Sequence, residues 1–384
     1  HNDAPDRGKA LYEGHRVIKI WEYDLENDQV IAGTDKIIVD GGVDISKKPI
    51  WIEAPHIYKK YDRYYLMCAE GGTGDWHSEV IFVSDDPKGP YTPAPSNPIL
   101  SQRYLNPDRD NFVDWAGHAD IVETPDGDYY AVFLAVRPNE AKRVNTGRET
   151  FILPVDWSGE FPVFENGLIP FEPKLKMPVG VVNKTAEAGF FPNGNYVFTE
   201  DFKAEELDYR WIGMRGPRED FISLAKGGIK VQPFATNVKA VAPIASLFHR
   251  QQHRHFTATA NLQYSPSSEK DLAGLVCYQS ERFNYVFGLT AKGKQNYLVL
   301  QRTEKGTSKI IASMPVQTAK TLTLQVTAEG DEYRFNYSLD GVNFFNLGGR
   351  VSGDILSTDV AGGFTGSFIG LYATTGNDAF PNIK

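Results

Sequence analysis

Short alternations of apolar and polar residues recur along the chain, and helical periodicity is almost absent. The clearest stretch predicts a strand at 57–60, a tight turn at 61–63, and strands at 64–69 and 79–84. Upstream, the same alternation predicts two further strands, at 17–23 and 36–39. The first half of the chain is therefore expected to fold as antiparallel strands joined by short turns.

The same order of elements returns further along the chain. Strands are predicted at 121–124, 129–135 and 151–155, with a Pro-Asp-Gly-Asp turn between the first two. Aligning the two Tyr-Tyr pairs, which begin at Tyr64 and Tyr129, gives a period of about 65 residues. Repeated units of three or four antiparallel strands are typical of propeller blades.

A Pro- and Gly-rich stretch at 170–195 indicates a domain boundary. The strands predicted after it lie at 196–202, 256–264, 273–278, 285–290, 297–302, 321–327, 333–338 and 368–373. Their spacing favours a β-sandwich. The sequence thus predicts an all-β chain with a propeller-type domain at 1–195 and a β-sandwich accessory domain at 196–384.

Composition adds exclusions rather than a function. The 384 residues carry 40 Lys and Arg against 49 Asp and Glu, a net charge of −9, which argues against nucleic-acid partners and anionic membranes. No apolar run is long enough to span a bilayer. The two cysteines, Cys68 and Cys277, lie far apart and are expected to be free, buried thiols.

The densest candidate chemistry lies around Glu53, at the start of a predicted strand. A propeller presents such positions to its central channel, and a carboxyl held among apolar neighbours suits a general acid. The alternative is a glutamate that caps a loop by accepting backbone hydrogen bonds, and composition alone favours that alternative.

Several segments resemble glycoside hydrolase family 43. They are Glu-Ala-Pro-His at 53–56, Tyr-Tyr-Leu at 64–66, Ala-Glu-Gly-Gly-Thr at 69–73, Trp-Ala-Gly-His-Ala-Asp at 115–120, Gly-Arg-Glu-Thr-Phe at 147–151 and Gly-Phe-Thr-Gly-Ser-Phe at 363–368. The resemblance implies a five-bladed β-propeller, of which this chain holds part, followed by the β-sandwich found in the β-xylosidase and α-L-arabinofuranosidase subgroup. It also implies an exo-acting, inverting enzyme that releases a terminal pentose from hemicellulose.

By that resemblance, Glu53 is the general acid. His118 would point into the channel near the sugar, through a water or a calcium ion, and Arg148 would bind sugar hydroxyls. Thr73 and Trp115 would line the pocket, and Phe364 would reach its rim from the sandwich. Each of these residues also has a competing interpretation. His118 could be a buried structural histidine and Arg148 a solvated surface arginine. Thr73 and Trp115 could serve loop packing, and Phe364 could be a core phenylalanine.

The chain departs from the family pattern at its start, because the family's base and its pKa-tuning aspartate both precede the acid, and only 52 residues precede Glu53. We count about three blades where closure needs five. We therefore expect a complementary N-terminal segment of the same protein to supply the base.

Three further expectations follow. No cofactor is needed for the chemistry, although a calcium ion could bind as a structural ion, and Asp201, Asp354 and Asp378 are candidate oxygen ligands if they are not plain surface carboxylates. A polysaccharide substrate suits the periplasm or secretion. The competing function is a propeller that binds carbohydrate without catalysis, because it lacks the base.

Overall fold

The computed structural model describes residues 2–3, 10–172, 194–317 and 322–378. These residues form two compact units, which we treat separately. The first unit comprises the described residues up to Arg137 together with those from Arg148 to 172, and the second comprises Pro138–Gly147 and the described residues from 194 onward. Most of the boundary predicted at 170–195 lies outside the described residues.

The first unit is built of strands and one short 3-10 turn at Ile45–Lys47. Its strands are β1 (Asn2–Asp3), β2 (Arg16–Ile20), β3 (Tyr23–Asp24), β4 (Gln29–Val30), β5 (Lys36–Asp40), β6 (Glu53–Lys60), β7 (Arg63–Glu70), β8 (Ser78–Ser84), β9 (Thr92–Pro93), β10 (Asp114–Glu123), β11 (Tyr129–Val136), β12 (Glu149–Asp156) and β13 (Val163–Phe164).

Two four-stranded sheets repeat the same design. Sheet A joins β6, β7, β8 and β9 in chain order, sheet B joins β10, β11, β12 and β13 in the same way, and every pairing is antiparallel. The turn between β6 and β7 holds Tyr61 and Asp62, both at positive φ, as a two-residue hairpin turn requires. These two meanders confirm the repeat predicted around Tyr64 and Tyr129. A three-stranded sheet, β1-β2-β5, and the β3-β4 hairpin precede them.

Sheet A is buried on both faces, which explains why β7 and β8 are almost wholly buried. Tyr65 and Met67 belong to a core shared with Ala119 and Phe133 of sheet B. Leu66 and Cys68, which alternate with them, belong to a core shared with Ile18 and Val39 of the three-stranded sheet. Face-to-face packing of successive sheets is how propeller blades bury their surfaces.

The second unit contains 13 described strands, two 3-10 turns (Arg218–Asp220 and Asp354–Leu356) and a one-turn helix, α1 (Thr358–Ala361). The strands are β14 (Ile212–Met214), β15 (Ile222–Ala225), β16 (Gly228–Val231), β17 (Ile244–Arg250), β18 (His255–Leu262), β19 (Leu272–Ser280), β20 (Phe283–Lys292), β21 (Gln295–Glu304), β22 (Thr307–Val316), β23 (Leu322–Glu329), β24 (Glu332–Ser338), β25 (Phe345–Ser352) and β26 (Phe368–Thr374).

Two antiparallel sheets make the sandwich. The larger has the order β14-β17-β26-β19-β20-β21-β22, the smaller has the order β18-β23-β24-β25, and β15 and β16 form a hairpin of their own. Phe287 and Leu300 of the large sheet share one core with Val326 and Phe335 of the small sheet, and all four side chains are buried. Cys68 and Cys277 are both buried and free, as predicted.

One predicted strand is wrong, and several strands were not predicted. Residues 196–202 form no strand; their alternating aromatic side chains, Tyr196 and Phe198, pack instead against His253 and His249. Strands β14–β17, β22 and β25 were not expected from the sequence. None of the helices among the described residues has the length and apolar character needed to cross a membrane.

Candidate active site

Glu53 opens β6, and the strand register brings three loops to this end of the sheets. Glu53 lies opposite Ala69, so the loop from β7 to β8 emerges beside it. In sheet B, Asp114 lies opposite Val136 and Glu149 opposite Ala135. Arg148, immediately before β12, therefore stands at the corresponding end of sheet B.

The Glu53 carboxylate is bound by Arg16 of β2. Arg16 Nη1 donates a hydrogen bond to Glu53 Oε2, and both side chains are mostly buried. The guanidinium also lies over the Trp51 ring, 5.0 Å from its centroid. The surroundings of Glu53 thus combine a cationic partner, which the sequence did not predict, with an aromatic ring next to that partner.

The start of β10 is irregular, and His118 lies within the irregular segment with its side chain exposed. The pairing of β10 with β11 shifts register twice, between Asp114 and Gly117 and again between Gly117 and Asp120. Trp115 and His118 lie in the left-handed region, at φ 55° and 56°. Such conformations are unfavourable for residues with a side chain and persist only where neighbouring contacts hold them.

Two buried polar side chains of sheet A hold that irregular segment. His77 Nδ1 donates to the carbonyl of Trp115 at 2.7 Å, and Glu79 Oε2 accepts from the amide of Ala119 at 2.8 Å. The His77 ring also lies directly against Gly117, where a Cβ would come within 2.9 Å of it. We call His77 and Glu79 the β8 clamp.

Burial sets the protonation states of the β8 clamp. Desolvation raises the pKa of Glu79 well above its ordinary value, against the effect of the backbone hydrogen bonds from Ala119 and His118. Desolvation also lowers the pKa of His77 to about 4, with smaller contributions from the charges of His118 and Arg148. His77 is therefore neutral near pH 7, and burial favours the protonated form of Glu79.

The structure brings Glu53, His118 and Arg148 into one electrostatic group. Desolvation lowers the pKa of His118; the Glu53 charge opposes this, and the Arg148 and His56 charges add to it. Desolvation likewise lowers the pKa of Arg148, with Glu53 again opposing. One anion faced by two basic side chains suits a ligand rich in hydroxyl groups, since carboxylate and guanidinium supply acceptors and donors in fixed positions.

A second polar group lies further along β6 and β10. Asp120 Oδ1 accepts from the Tyr58 hydroxyl at 2.6 Å and lies 3.3 Å from His56 Nδ1. The Tyr58 hydroxyl in turn accepts from the Ile121 amide at 2.8 Å, and burial raises its pKa. These contacts join the facing strands of sheets A and B.

The remaining predicted site residues lie in different places. Thr73 is half-buried in the loop between β7 and β8, and Trp115 Nε1 donates to Asp75 of the same loop at 3.0 Å. Phe364 belongs to the second unit and is exposed there. The roles of all six predicted residues stay predictions.

The described residues do not form a metal cage. Within residues 10–172, 194–317 and 322–378, no three His, Cys, Asp or Glu side chains cluster closely enough to hold an ion. His118 stands beside one anion, Glu53, and two basic side chains, Arg148 and His56. The three candidate calcium ligands in the second unit are each paired with a basic side chain: Asp201 with Lys203, Asp354 with Arg143, and Asp378 with Lys239. We therefore derive no step through a metal.

Sequence reasoning missed Arg16 and the β8 clamp. Glu79 had a signal, because it is the one charged residue in the otherwise uncharged run from Ser78 to Ser84. Arg16 had no comparable signal, since a basic residue at the start of a strand is ordinary. His56 lay within a motif that was noted but received no role of its own.

Comparison with known proteins defines the class. The model of glycosyl hydrolases family 43 matches residues 3–162, and a β-xylosidase C-terminal concanavalin A-like domain matches residues 199–380. A crystal structure of a family 43, subfamily 12 protein retrieved from a capybara gut metagenome is 55% identical, with a TM-score of 0.89, and the match covers 97% of this chain and 69% of that one. The chain belongs to glycoside hydrolase family 43.

Two further relatives are named for the sugars they release. A non-reducing end α-L-arabinofuranosidase of Bacteroides ovatus is 34% identical over 338 residues, which is 86% of this chain and 60% of the relative. A xylan β-1,4-xylosidase from Bacillus halodurans is 25% identical with a TM-score of 0.80, covering 96% of this chain and 69% of that one. The chain thus spans 60% of the length of the first relative and 69% of the second.

Proposed function

We propose that this chain is part of an exo-acting, inverting glycosidase that removes a terminal pentose, α-L-arabinofuranose or β-D-xylose, from plant hemicellulose. The observation that carries the proposal is the group formed by Glu53, His118 and Arg148 at the loop end of the sheets. The family membership and the names of its arabinofuranosidase and xylosidase relatives support the substrate class.

In the proposed reaction, Glu53 gives its proton to the glycosidic oxygen as the bond to the anomeric carbon breaks. A water molecule attacks that carbon from the opposite face, and a second carboxylate takes the proton of the water. Inversion requires about 6.5–9.5 Å between the two carboxyl groups, so that the water fits. The proposal assigns this base to a complementary N-terminal segment of the same protein.

Arg16 has a defined role in this scheme. Arg16 occupies one oxygen of the Glu53 carboxyl group, whereas a general acid must direct that group at the glycosidic oxygen. The pair between Arg16 and Glu53 must therefore open when substrate binds, so that the carboxyl can face the glycosidic oxygen. Arg148 would then bind sugar hydroxyls, and Thr73, Trp115 and His118 would line the pocket.

The test is the substitution Glu53→Gln in the full-length protein, with Glu123→Gln as the matched control. Glu123 is an exposed glutamate at the far end of β10. Loss of a general acid costs about 10²–10⁴-fold in rate, and most where the leaving group is poor. We expect Glu53→Gln to abolish turnover of xylobiose while 4-nitrophenyl glycosides retain more activity. A wild-type rate on xylobiose in Glu53→Gln would refute the role of Glu53 as the acid.

A second candidate is a carbohydrate-binding propeller that does not hydrolyse its ligand. The cation on Glu53 favours it, because a permanent ion pair would leave the carboxylate as a hydrogen-bond acceptor only. Sugar binding without hydrolysis in the full-length protein would decide for this candidate. Either function acts on an extracellular polymer, so we also propose a periplasmic or secreted location.

A further inference from the structure

Two large aromatic side chains lie exposed on loops of the first unit. Trp76 is 57% exposed and Tyr104 is 80% exposed. Their ring centroids are 5.9 Å apart, with the planes at 70°. The Arg103 guanidinium lies 5.4 Å from the Tyr104 centroid and donates to the Trp76 carbonyl at 2.9 Å. The two loops therefore hold the rings edge to face, each with exposed aromatic surface, and we call this pair the Trp76–Tyr104 platform.

The platform adjoins the candidate active site through its backbone. The Trp76 carbonyl lies against Gly71, which follows the last residue of β7 and has no room for a Cβ beside that oxygen. The next residue, Gly72, lies in the same way against the Trp51 ring, over which Arg16 sits. The platform therefore continues from the loop beside Glu53 onto the surface.

The chemistry of this surface matches a sugar. Flat rings with exposed faces bind the C–H face of a pyranose, and hydroxyl groups around that face need polar neighbours. Asn106, Asp108 and Asp110 are exposed on the same loop as Tyr104 and supply such neighbours. A protein partner would need about 800 Å² of contact surface, and two rings among polar side chains do not provide a continuous apolar patch of that size.

We propose that the Trp76–Tyr104 platform binds a xylopyranose unit of a β-1,4-linked backbone, on the leaving-group side of the bond that is cleaved. The inference rests on the proposed function: if the terminal pentose occupies the group around Glu53, the rest of the substrate must extend over the neighbouring loops. A planar indole favours a pyranose chair over a puckered furanose, because the chair presents a row of axial C–H bonds on one side.

The test measures binding of xylohexaose and of methyl β-D-xyloside by calorimetry to the full-length protein carrying Glu53→Gln, so that the sugar is not hydrolysed during the measurement. The variants are Trp76→Ala, Trp76→Phe and the matched control Trp21→Ala. Trp21 is also exposed, at 44%, but it follows β2 at the end opposite to Arg16. Loss of one stacking ring of about 1.4 kcal/mol corresponds to about a tenfold loss of affinity.

We expect Trp76→Ala to weaken xylohexaose binding about tenfold more than it weakens methyl xyloside binding, Trp76→Phe to restore most of the loss, and Trp21→Ala to match wild type. Equal xylohexaose affinity in Trp76→Ala and wild type would overturn the inference. So would protection of Trp76 from oxidation by N-bromosuccinimide in the absence of sugar, because the ring would then be covered by protein.

The experiments distinguish a failure of the proposed function from a failure of this inference. If the full-length protein hydrolyses no 4-nitrophenyl xyloside or arabinofuranoside but binds xylohexaose through Trp76, the platform stands and catalysis falls. If it hydrolyses these glycosides while Trp76→Ala leaves xylohexaose affinity unchanged, catalysis stands and the platform falls.

Discussion

Glu79 of β8 accepts the backbone amide of Ala119 at 2.8 Å and so joins sheet A to the irregular part of β10 that carries His118. The carboxyl is completely buried, and its Oε1 has no hydrogen-bond partner. A buried acid without a counter-charge avoids a large desolvation cost by staying protonated. The strand that carries His118 is thus held by a buried carboxyl whose pKa desolvation raises.

This burial predicts how Glu79 affects stability as the pH changes. The folded pKa is raised above the ordinary value of 4.5, so the folded state holds a proton that the unfolded state releases. The contribution of Glu79 is therefore fully present below pH 4.5. It falls by about 1.4 kcal/mol per pH unit as the pH rises towards the folded pKa.

Glu79→Gln removes this titration while leaving an oxygen for the Ala119 amide. We expect the free energy of unfolding of Glu79→Gln, measured by urea denaturation, to rise relative to that of wild type as the pH is raised above 4.5. Glu123→Gln, which changes an exposed glutamate, is expected to follow wild type at every pH. Parallel curves for wild type and Glu79→Gln would show that Glu79 is ionised in the folded protein.

The contribution of His77 to stability changes with pH in the opposite direction. Desolvation lowers its pKa from 6.5 to about 4. Between these two pH values His77 is therefore protonated in the unfolded state and neutral in the folded state. Stability is unaffected above pH 6.5 and falls as the pH drops towards 4, by about 3 kcal/mol in total.

His77→Gln is the variant that removes this titration. Wild type is expected to lose stability relative to it between pH 6.5 and 4, and a constant difference over that range would contradict the burial argument. Above pH 4.5 and below pH 6.5 the Glu79 and His77 contributions to the pH dependence of stability have opposite signs, so each partly offsets the other.

Local sequence predicted the strands wherever alternation and turn residues coincided. The hairpin around Tyr61 and Asp62 is such a case, because neighbouring residues determine it. The predicted strand at 196–202 had the same alternation, but its aromatic side chains pack against β17 and the loop after it without strand pairing. Alternation reports which side chains are buried on one side, and this can be satisfied without a hydrogen-bonded neighbour.

The candidate site was only partly predictable for a related reason. Glu53 could be placed at the start of a strand from its own neighbourhood and from the family motif. Its partner Arg16 lies 37 residues away, and the β8 clamp meets β10 about 40 residues further along the chain. Such contacts depend on the register and packing of separate sheets, which no local pattern encodes.

Gly117→Ala tests whether close packing against His77 holds the irregular start of β10. The new Cβ would lie within 2.9–3.0 Å of three ring atoms of His77, so the buried imidazole or the strand must shift. Overpacking of this kind costs about 1–3 kcal/mol.

The matched control is Gly159→Ala in the same unit, where no atom lies within 4 Å of the added Cβ. We expect Gly117→Ala to lower the free energy of unfolding by that amount and to reduce activity of the full-length protein, because His118 follows directly. Equal stability of the two variants would mean that the imidazole has room to move, and that the clamp holds His118 through its hydrogen bonds alone.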